Sequence, residues 1–212
     1  MSDFAAMKEN VLENTLQAYE EGLFAGTSGN LSILDETGTR MAITPSSFRY
    51  EKMKLEDIVV IDAVSGSVIE GKHRPSSEWR MHAAIYRGVA GCRGVVHTHS
   101  PYATAFAVVG MPIPVILIEM IAYIGGDIPM SGFELPGTEE LGAIVAAALK
   151  DRNACLMANH GAVAVGATLD QAHLRAIYVE DAAKIYSLAL QAGKPAQLSD
   201  AAIAAMRKRL GR

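Results

Sequence analysis

The sequence predicts an α/β protein in which a central, mainly antiparallel sheet is covered by helices. Half of the 212 residues are apolar, which is enough for a sizeable core in a chain of this length. Strand-like runs are concentrated in the middle of the chain, and segments with helical periodicity lie on both sides of them. No repeat or linker divides the chain, so we expect a single domain over residues 1–212.

The first part of the chain predicts one long helix followed by two hairpins. Apolar residues recur at helical spacing from Phe4 to Phe24, and the pattern stops at the turn-forming residues 26–30. Two pairs of strand-like runs follow, each joined by a short connection. The expected hairpin strands are residues 31–34 with 40–43 and residues 58–61 with 67–69.

The rest of the chain alternates predicted helices and strands around one long loop. Ser76 or Ser77 is expected to cap a helix that runs to about Arg87, and Pro101 occupies the first position of another. Residues 111–136 are rich in glycine and proline, which predicts a loop with one or two short strands. The remaining predicted helices are residues 137–149, 169–191 and 199–210, and the remaining predicted strands are residues 93–99, 154–157 and 162–165.

Three histidines and one glutamate form the most informative pattern in the chain. His97 and His99 close an apolar run, and residues two apart on a strand point to the same face. His160 lies in a distant Asn-His-Gly segment, and Glu78 lies at the predicted start of a helix. Two imidazoles on one face and a third from a distant loop are typical of a tetrahedral divalent metal site with an open position. The pattern therefore predicts a metalloenzyme, with the three histidines as candidate ligands.

The other three histidines are expected to be ordinary surface or core residues. Two of them lie inside predicted helices and the third lies in a polar stretch. They are His82, His173 and His73.

Three short polar segments form a second candidate site. Each ends a strand or starts a helix, where hydroxyls and free backbone N–H groups can bind an anion. Any one of them alone is better explained as a turn or a cap, and none matches a P-loop or a dinucleotide fingerprint. Together with a metal site they predict a small phosphorylated substrate. The segments are residues 27–30, 44–47 and 76–77.

Composition argues against several classes of partner. A net charge of -4 and the short basic cluster at 207–209 do not suit a nucleic-acid or membrane-surface protein. The apolar run from 111 to 118 is too short to span a bilayer, and the first residues do not resemble a signal peptide. Cys92 and Cys155 lie in apolar stretches, which predicts buried, reduced thiols. We therefore expect a cytoplasmic protein.

Taken in order, the motifs resemble those of the class II aldolase/adducin family, especially its L-fuculose-1-phosphate aldolase branch. The resemblance implies a three-layer α/β/α fold with a central antiparallel sheet. It also implies a fourfold homotetramer with active sites between neighbouring subunits. The matching motifs are T-S-G-N-L-S at 27–32, I-T-P-S-S at 43–47, S-S-E-W at 76–79, H-T-H-S at 97–100, G-G at 125–126, G-T at 137–138 with Leu141, and N-H-G at 159–161.

The resemblance assigns roles to the candidate residues. It implies that His97, His99 and His160 bind Zn²⁺, with Mn²⁺ or Co²⁺ as alternatives, and that Glu78 completes the shell when substrate is absent. The implied reaction cleaves a ketose 1-phosphate between C3 and C4 into dihydroxyacetone phosphate and an aldehyde. Glu78 would carry the proton of the dihydroxyacetone phosphate half. The positions that match the phosphate site are Gly29, Asn30, Ser46, Ser47, Ser76 and Ser77.

Two departures from the fuculose-phosphate branch concern the aldehyde side of the substrate. Glu119 stands where that branch has a tyrosine acid, and its C-terminal tyrosine has no counterpart after Tyr186. A glutamate followed by methionine at this place resembles the methylthioribulose-1-phosphate dehydratase branch, which lacks a match to Glu78. The combination resembles the aldolases that cleave 5-deoxyribulose 1-phosphate or 5-methylthioribulose 1-phosphate. Glu119 is therefore a candidate catalytic residue, either as acid or base, or else a structural one.

Apolar residues beside Glu119 allow two interpretations. They either receive a methyl or methylthio tail of the substrate or pack in the core. These residues are Val115, Ile116, Leu117, Ile118 and Met120.

Other roles share this scaffold and stay open at this point. They are the dehydratase, a sugar-phosphate 4-epimerase, a decarboxylase of phosphorylated keto acids, and adducin-like modules that bind partners without catalysis. The epimerase branch favours an aspartate where Glu78 stands, whereas the decarboxylase branch keeps a glutamate there. The complete set of three histidines and Glu78 argues against a binding module.

Overall fold

A computed structural model describes residues 4–211, and the predictions for residues 1–3 and 212 lie outside the described residues. In this range the strands form one continuous sheet. The strands are β1 (Asn30–Leu34), β2 (Arg40–Ile43), β3 (Val59–Asp62), β4 (Val68–Glu70), β5 (Gly94–Thr98), β6 (Met130–Ser131), β7 (Ala154–Met157) and β8 (Gly161–Gly166). Their order is β4-β3-β2-β1-β5-β8-β7-β6. Neighbouring strands are antiparallel except β6 and β7, which run parallel.

Helices cover both faces of this sheet. They are α1 (Ala5–Glu20), α2 (Trp79–Gly88), α3 (Pro101–Val108), α4 (Glu139–Ala148), α5 (Leu169–Ala192) and α6 (Asp200–Arg209). Neighbouring residues of β5 point to opposite faces of the sheet. Val96 packs with residues of α1, α3 and α5 on one face, and Val95 packs with residues of α2 and α4 on the other. The structure is therefore the three-layer α/β/α arrangement that the sequence and the resemblance predict.

The start of α2 differs from the prediction. Neither Ser76 nor Ser77 caps the helix, because the helix begins at Trp79 and Glu78 occupies the N-cap position. The chain before it is held extended: the backbone N–H of Ser76 donates to the carbonyl of Thr44, beside a bridge between Pro45 and Pro75. This pairing delays the first helical turn by about two residues, and it leaves Glu78 at the helix end that faces the sheet.

The long loop at 111–136 is more ordered than its glycine and proline content predicts. It contains a π-helical turn at Met120–Ile124 as well as the short strand β6 and a bridge between Ile113 and Ile128. The sequence predicts the short strand but not the turn, whose residues are mostly buried in the main core. Packing therefore orders a segment that has no local helical pattern.

Two further predictions concern the cysteines and the membrane. Cys92 and Cys155 are buried free thiols, as predicted. Among the described residues, no helix is both long and apolar enough to cross a bilayer.

Candidate active site

The structure brings together the three histidines that the sequence singles out. His97 is fully buried near the end of β5, His99 directly follows that strand, and His160 lies in the turn between β7 and β8. The ring centroids lie 4.8 to 5.0 Å apart, and the candidate ligand atoms all lie within 4.8 Å of one another. This cluster can bind a metal ion.

The neighbouring strand fixes the ring of His97 in one orientation. Its Nδ1–H donates a 2.9 Å hydrogen bond to the carbonyl oxygen of Ala162. Nε2 is therefore the ring atom available to bind a metal, and it lies 3.0 Å from Nε2 of His99. A backbone acceptor on the far ring nitrogen is the usual way in which proteins orient a metal-binding imidazole.

Glu78 faces the histidines from the N-terminus of α2. Its Oε2 lies 3.2 Å from Nε2 of His97, and its Oε1 lies 3.4 Å from Nε2 of His160. Oε2 also accepts a 2.9 Å hydrogen bond from Nδ2 of Asn30. Oε1 is buried without a hydrogen-bond partner among residues 4–211. The carboxylate is therefore held through one oxygen, and the other is unsatisfied.

These donor atoms fit a divalent cation. Three of their separations are 3.0 to 3.4 Å, close to the ~3.3 Å edge of a tetrahedron around an ion with metal–ligand distances of about 2.0–2.1 Å. A buried, unsatisfied carboxylate oxygen beside imidazole nitrogens is costly without a positive charge. A cation bound there would remove this cost.

The protonation states also suit a metal. Burial opposes the ionisation of Glu78, but His97, His160 and the hydrogen bond from Asn30 hold its pKa well below the usual value. Burial and the neighbouring histidines lower the pKa of His99 to about 3, and burial and His97 lower that of His160 to about 4. Burial disfavours the charged form of His97 as well, yet Glu78 raises its pKa. Metal binding at neutral pH therefore displaces at most the His97 proton.

Two glycines let the backbone come close enough to form this cluster. A side chain at Gly161 would collide with the carbonyl oxygen of Thr98, so glycine is required for β8 to approach β5 beside the ligands. Gly29 has a φ of +84°, and a Cβ there would lie 2.8 Å from the carbonyl oxygen of His97. Both glycines lie in motifs that carry the family resemblance, N-H-G at 159–161 and T-S-G-N-L-S at 27–32.

A carboxylate that the sequence analysis missed caps the helix after His99. The two oxygens of Glu180, on α5, accept hydrogen bonds of 2.9 and 2.8 Å from the backbone N–H groups of Tyr102 and Ala103. These groups are free donors in the first turn of α3, where negative charge is favourable. The contact therefore fixes the chain that leaves His99. No local sequence pattern links residues 78 positions apart, so this role was not predictable.

The three polar segments lie around the start of α2. Gly29 and Asn30 lie beside His97, because Asn30 of β1 is paired with His97 of β5. The backbone N–H of Leu31 donates to Oγ1 of Thr44 over 3.3 Å. Two contacts between backbone groups are Ser46 N–H to Arg74 O and Ser76 N–H to Thr44 O, each 3.0 Å. The hydroxyl of Ser76 also accepts a 3.2 Å hydrogen bond from the backbone N–H of Glu78. Ser47 and Ser77 are exposed, and Ser46 is half-buried.

Glu119 lies outside the hydrogen bonds and ion pairs described above for the histidines and Glu78. It directly precedes the π-helical turn. The pKa of Tyr178 on α5 is raised, mainly by the hydrogen bond between Tyr178 and Tyr123 and to a smaller extent by the charge of Glu119. Of the apolar residues beside it, Val115 and Met120 are buried in the core, and Ile116 and Leu117 pack against it. Ile118 is 52% exposed. Core packing therefore accounts for four of these five residues.

The histidines expected to be ordinary residues all have protein partners. His73 contacts Asp57 at 2.9 Å, and His173 contacts Asn14 and Glu21 at 3.0 and 2.8 Å. His82 is fully buried, and its Nε2 lies 2.5 Å from Oδ1 of Asn30, the residue that contacts Glu78.

The buried His82 predicts a pH-dependent stability of the metal-free protein. Burial and the charge of His97 lower its pKa to about 3, whereas a histidine in the unfolded chain titrates near about 6.5. At a pH between these two pKa values, the unfolded chain binds a proton at His82 and the folded chain does not. The free energy of unfolding should therefore decrease as pH falls below 6, by about 1.4 kcal/mol per pH unit from this residue. Urea unfolding between pH 7 and 5 measures this slope. A His82→Gln variant should show a slope shallower by that amount, and equal slopes would contradict the prediction.

Comparisons with known proteins agree with the fold. The family described as Class II Aldolase and Adducin N-terminal domain matches residues 9–187. A 5-methylthioribulose-1-phosphate/5-deoxyribulose-1-phosphate aldolase from Rhodospirillum rubrum is 39% identical over 191 residues, covering 90% of this chain and 84% of that protein. An L-fuculose phosphate aldolase from Escherichia coli is 39% identical over 199 residues, covering 93% of this chain and 91% of that protein. A solved L-fuculose 1-phosphate aldolase superposes with a TM-score of 0.91 at 36% identity, over 100% of this chain and 98% of that chain. This chain belongs to the class II aldolase/adducin family.

Proposed function

We propose that this protein is a metal-dependent aldolase that cleaves a ketose 1-phosphate into dihydroxyacetone phosphate and an aldehyde. The observation that carries the proposal is the position of Glu78. Its carboxylate contacts His97 and His160, and its Oε1 has no hydrogen-bond partner among the described residues. A carboxylate in this position can complete the metal shell and, once displaced by substrate, accept and return a proton.

In such a reaction the three histidines would bind the metal ion and Glu78 would transfer the proton. A divalent ion held by His97, His99 and His160, which we take to be Zn²⁺ with Mn²⁺ or Co²⁺ as alternatives, would supply Lewis-acid stabilisation of negative charge on the substrate oxygens. Glu78 then moves the proton of the dihydroxyacetone phosphate half through Oε1. Its pKa, held well below the usual value, keeps the carboxylate ionised at neutral pH.

We assign the substrate phosphate to the polar segments around the start of α2. Ser77 and Ser47 are exposed there, and Ser47 adopts a left-handed backbone with a φ of 54°. A strained residue of this kind is frequent at ligand sites. The proposed contacts come from Gly29, Asn30, Ser46, Ser47, Ser76 and Ser77.

The preferred substrates in this proposal carry a deoxy or thioether end. The two relatives above are equally identical to this chain, so their names do not discriminate between a fuculose and a 5-deoxyribulose substrate. Glu119 in place of a tyrosine favours the second class. We further propose a homotetramer with sites between subunits, in which Glu119 acts in the site of a neighbour as acid or base. The exposed Ile118, Phe133 and Leu135 provide apolar surface for such contacts.

A coupled assay for dihydroxyacetone phosphate tests the proposal. Zinc-loaded protein is incubated with the 1-phosphates of 5-deoxyribulose, 5-methylthioribulose, fuculose and ribulose. We expect release of dihydroxyacetone phosphate, with kcat/KM higher for the first two than for the hydroxylated sugars. Light scattering of the same preparation should give four times the chain mass.

Two results would contradict parts of this proposal. Consumption of methylthioribulose 1-phosphate with loss of water and no dihydroxyacetone phosphate would show a dehydratase, and Glu119→Gln would then be the variant to examine. Equal kcat/KM on all four sugars would overturn the substrate preference but not the aldolase.

A further inference from the structure

A row of five polar side chains leads from the candidate site into the core between α2 and β1. Glu78, His82 and Tyr86 are spaced four apart, so they share one face of α2, and Asn30 and Ser32 share one face of β1. The links are 2.9 Å from Glu78 Oε2 to Asn30 Nδ2 and 2.5 Å from Asn30 Oδ1 to His82 Nε2. Links of 2.6 Å join His82 Nδ1 to Ser32 Oγ and Ser32 Oγ to the hydroxyl of Tyr86.

The chemistry of the groups fixes the direction of every hydrogen bond in this row. An ionised Glu78 only accepts, so Asn30 presents its NH₂ to the carboxylate and its Oδ1 to His82. His82 must then carry its proton on Nε2. With its proton on Nε2, the fully buried ring accepts at Nδ1 from the hydroxyl of Ser32 over 2.6 Å. Ser32 in turn accepts from the hydroxyl of Tyr86, and each donor in the row points toward Glu78.

Stability alone does not explain this arrangement. Ser32 and His82 are fully buried, and an apolar set of the same shape can be as stable as a hydrogen-bonded polar pair. A satisfied buried network instead selects one arrangement and rigidifies it. A flipped Asn30 would face Glu78 with its oxygen and the N–H of His82 with its NH₂, so both contacts would become repulsive.

We propose that Asn30 and His82 are positioning residues that hold Glu78 by Oε2 and keep Oε1 free for proton transfer. Its catalytic consequence rests on the aldolase function proposed above, whereas the direction of the hydrogen bonds does not. The proposal gives the side chain of Asn30 a role in addition to phosphate binding, since its NH₂ group carries a second hydrogen besides the one that it donates to Glu78.

The tautomer of His82 tests the hydrogen-bond direction without any substrate. Long-range ¹H–¹⁵N correlation spectra of the histidine-labelled, zinc-loaded protein report the protonation of each ring, and the His82 signals are assigned by their loss in His82→Gln. We expect a neutral ring protonated on Nε2 throughout pH 6 to 8. A ring protonated on Nδ1, or on both nitrogens, would overturn the proposal whatever reaction the protein catalyses.

Steady-state kinetics test the consequence for Glu78. His82→Leu removes the donor to Asn30 and should lower kcat about 10- to 100-fold, the usual cost of losing an outer partner in a metal site. KM and the zinc content should change less than about threefold, since the phosphate contacts and the three histidines remain. His82→Gln keeps an N–H near the Nε2 position and should recover most of kcat.

His173→Leu is the matched control, because His173 is another buried helical histidine bonded to an asparagine and lies away from the site. It should change kcat less than about threefold. The proposal is wrong if His82→Leu and His173→Leu lower kcat equally, or if His82→Gln is no better than His82→Leu at matched thermal stability. Failure of the wild-type protein to release dihydroxyacetone phosphate would count against the proposed function, and the tautomer measurement would still decide the hydrogen-bond direction.

Discussion

Replacing Glu78 with glutamine should lower kcat for aldol cleavage about 10²- to 10⁴-fold, the range that a positioned acid or base contributes. Glutamine has nearly the same shape and can still accept the hydrogen bond from Nδ2 of Asn30 through its own oxygen. It cannot take up the substrate proton. The loss should therefore fall on kcat, with the three histidines still able to bind metal.

The measurement is kcat for Glu78→Gln at saturating substrate, together with the zinc content and the thermal midpoint of the same sample. Glu140→Gln is a suitable control, since Glu140 is an exposed glutamate in the first turn of another helix, α4. This control should keep wild-type kcat. If Glu78→Gln retains more than a tenth of wild-type kcat while fully loaded with zinc, Glu78 is not the proton carrier.

Replacing His99 with asparagine should abolish stoichiometric metal binding and, with it, the activity. His99 is one of three imidazoles whose ligand atoms lie within 4.8 Å of one another, and asparagine is too short to place a donor at the same point. Loss of a direct ligand should weaken zinc affinity by more than the 10- to 100-fold that an outer partner costs. The reaction should stop because the remaining residues cannot stabilise the charge that develops on the substrate oxygens.

Zinc affinity is measured by competition with a chromophoric chelator, and bound metal is counted after gel filtration. His73→Asn is the control, because His73 contacts Asp57 away from the cluster and should keep wild-type affinity. Wild-type protein treated with a chelator should regain activity when Zn²⁺, Mn²⁺ or Co²⁺ is added back, and His99→Asn should not. A wild-type protein that purifies without metal and binds none would instead support an adducin-like binding module.

Much of the fold was predictable because its signals are local. The Pro101 start of α3 and the hairpin strands at 31–34 and 40–43 follow from turn and cap chemistry within a few residues. The predicted cap of α2 was wrong because long-range pairing of Ser76 with Thr44 overrides its local preference. The π-helical turn in the 111–136 loop was missed for the same reason, since core packing and not periodicity forms it.

The sequence by itself determined the layered fold, the family and the identity of the candidate metal ligands, because strand alternation, His97 and His99 two apart, and the Asn-His-Gly turn are short patterns with direct geometric meaning. Only the tertiary structure decided which oxygen of Glu78 accepts a hydrogen bond from Asn30, that His82 contacts the other end of the Asn30 amide, and that Glu180 caps α3. Those facts depend on contacts between residues 48 to 78 positions apart. Such contacts arise from the packing of α2 and α5 against their neighbours, and no local pattern encodes them.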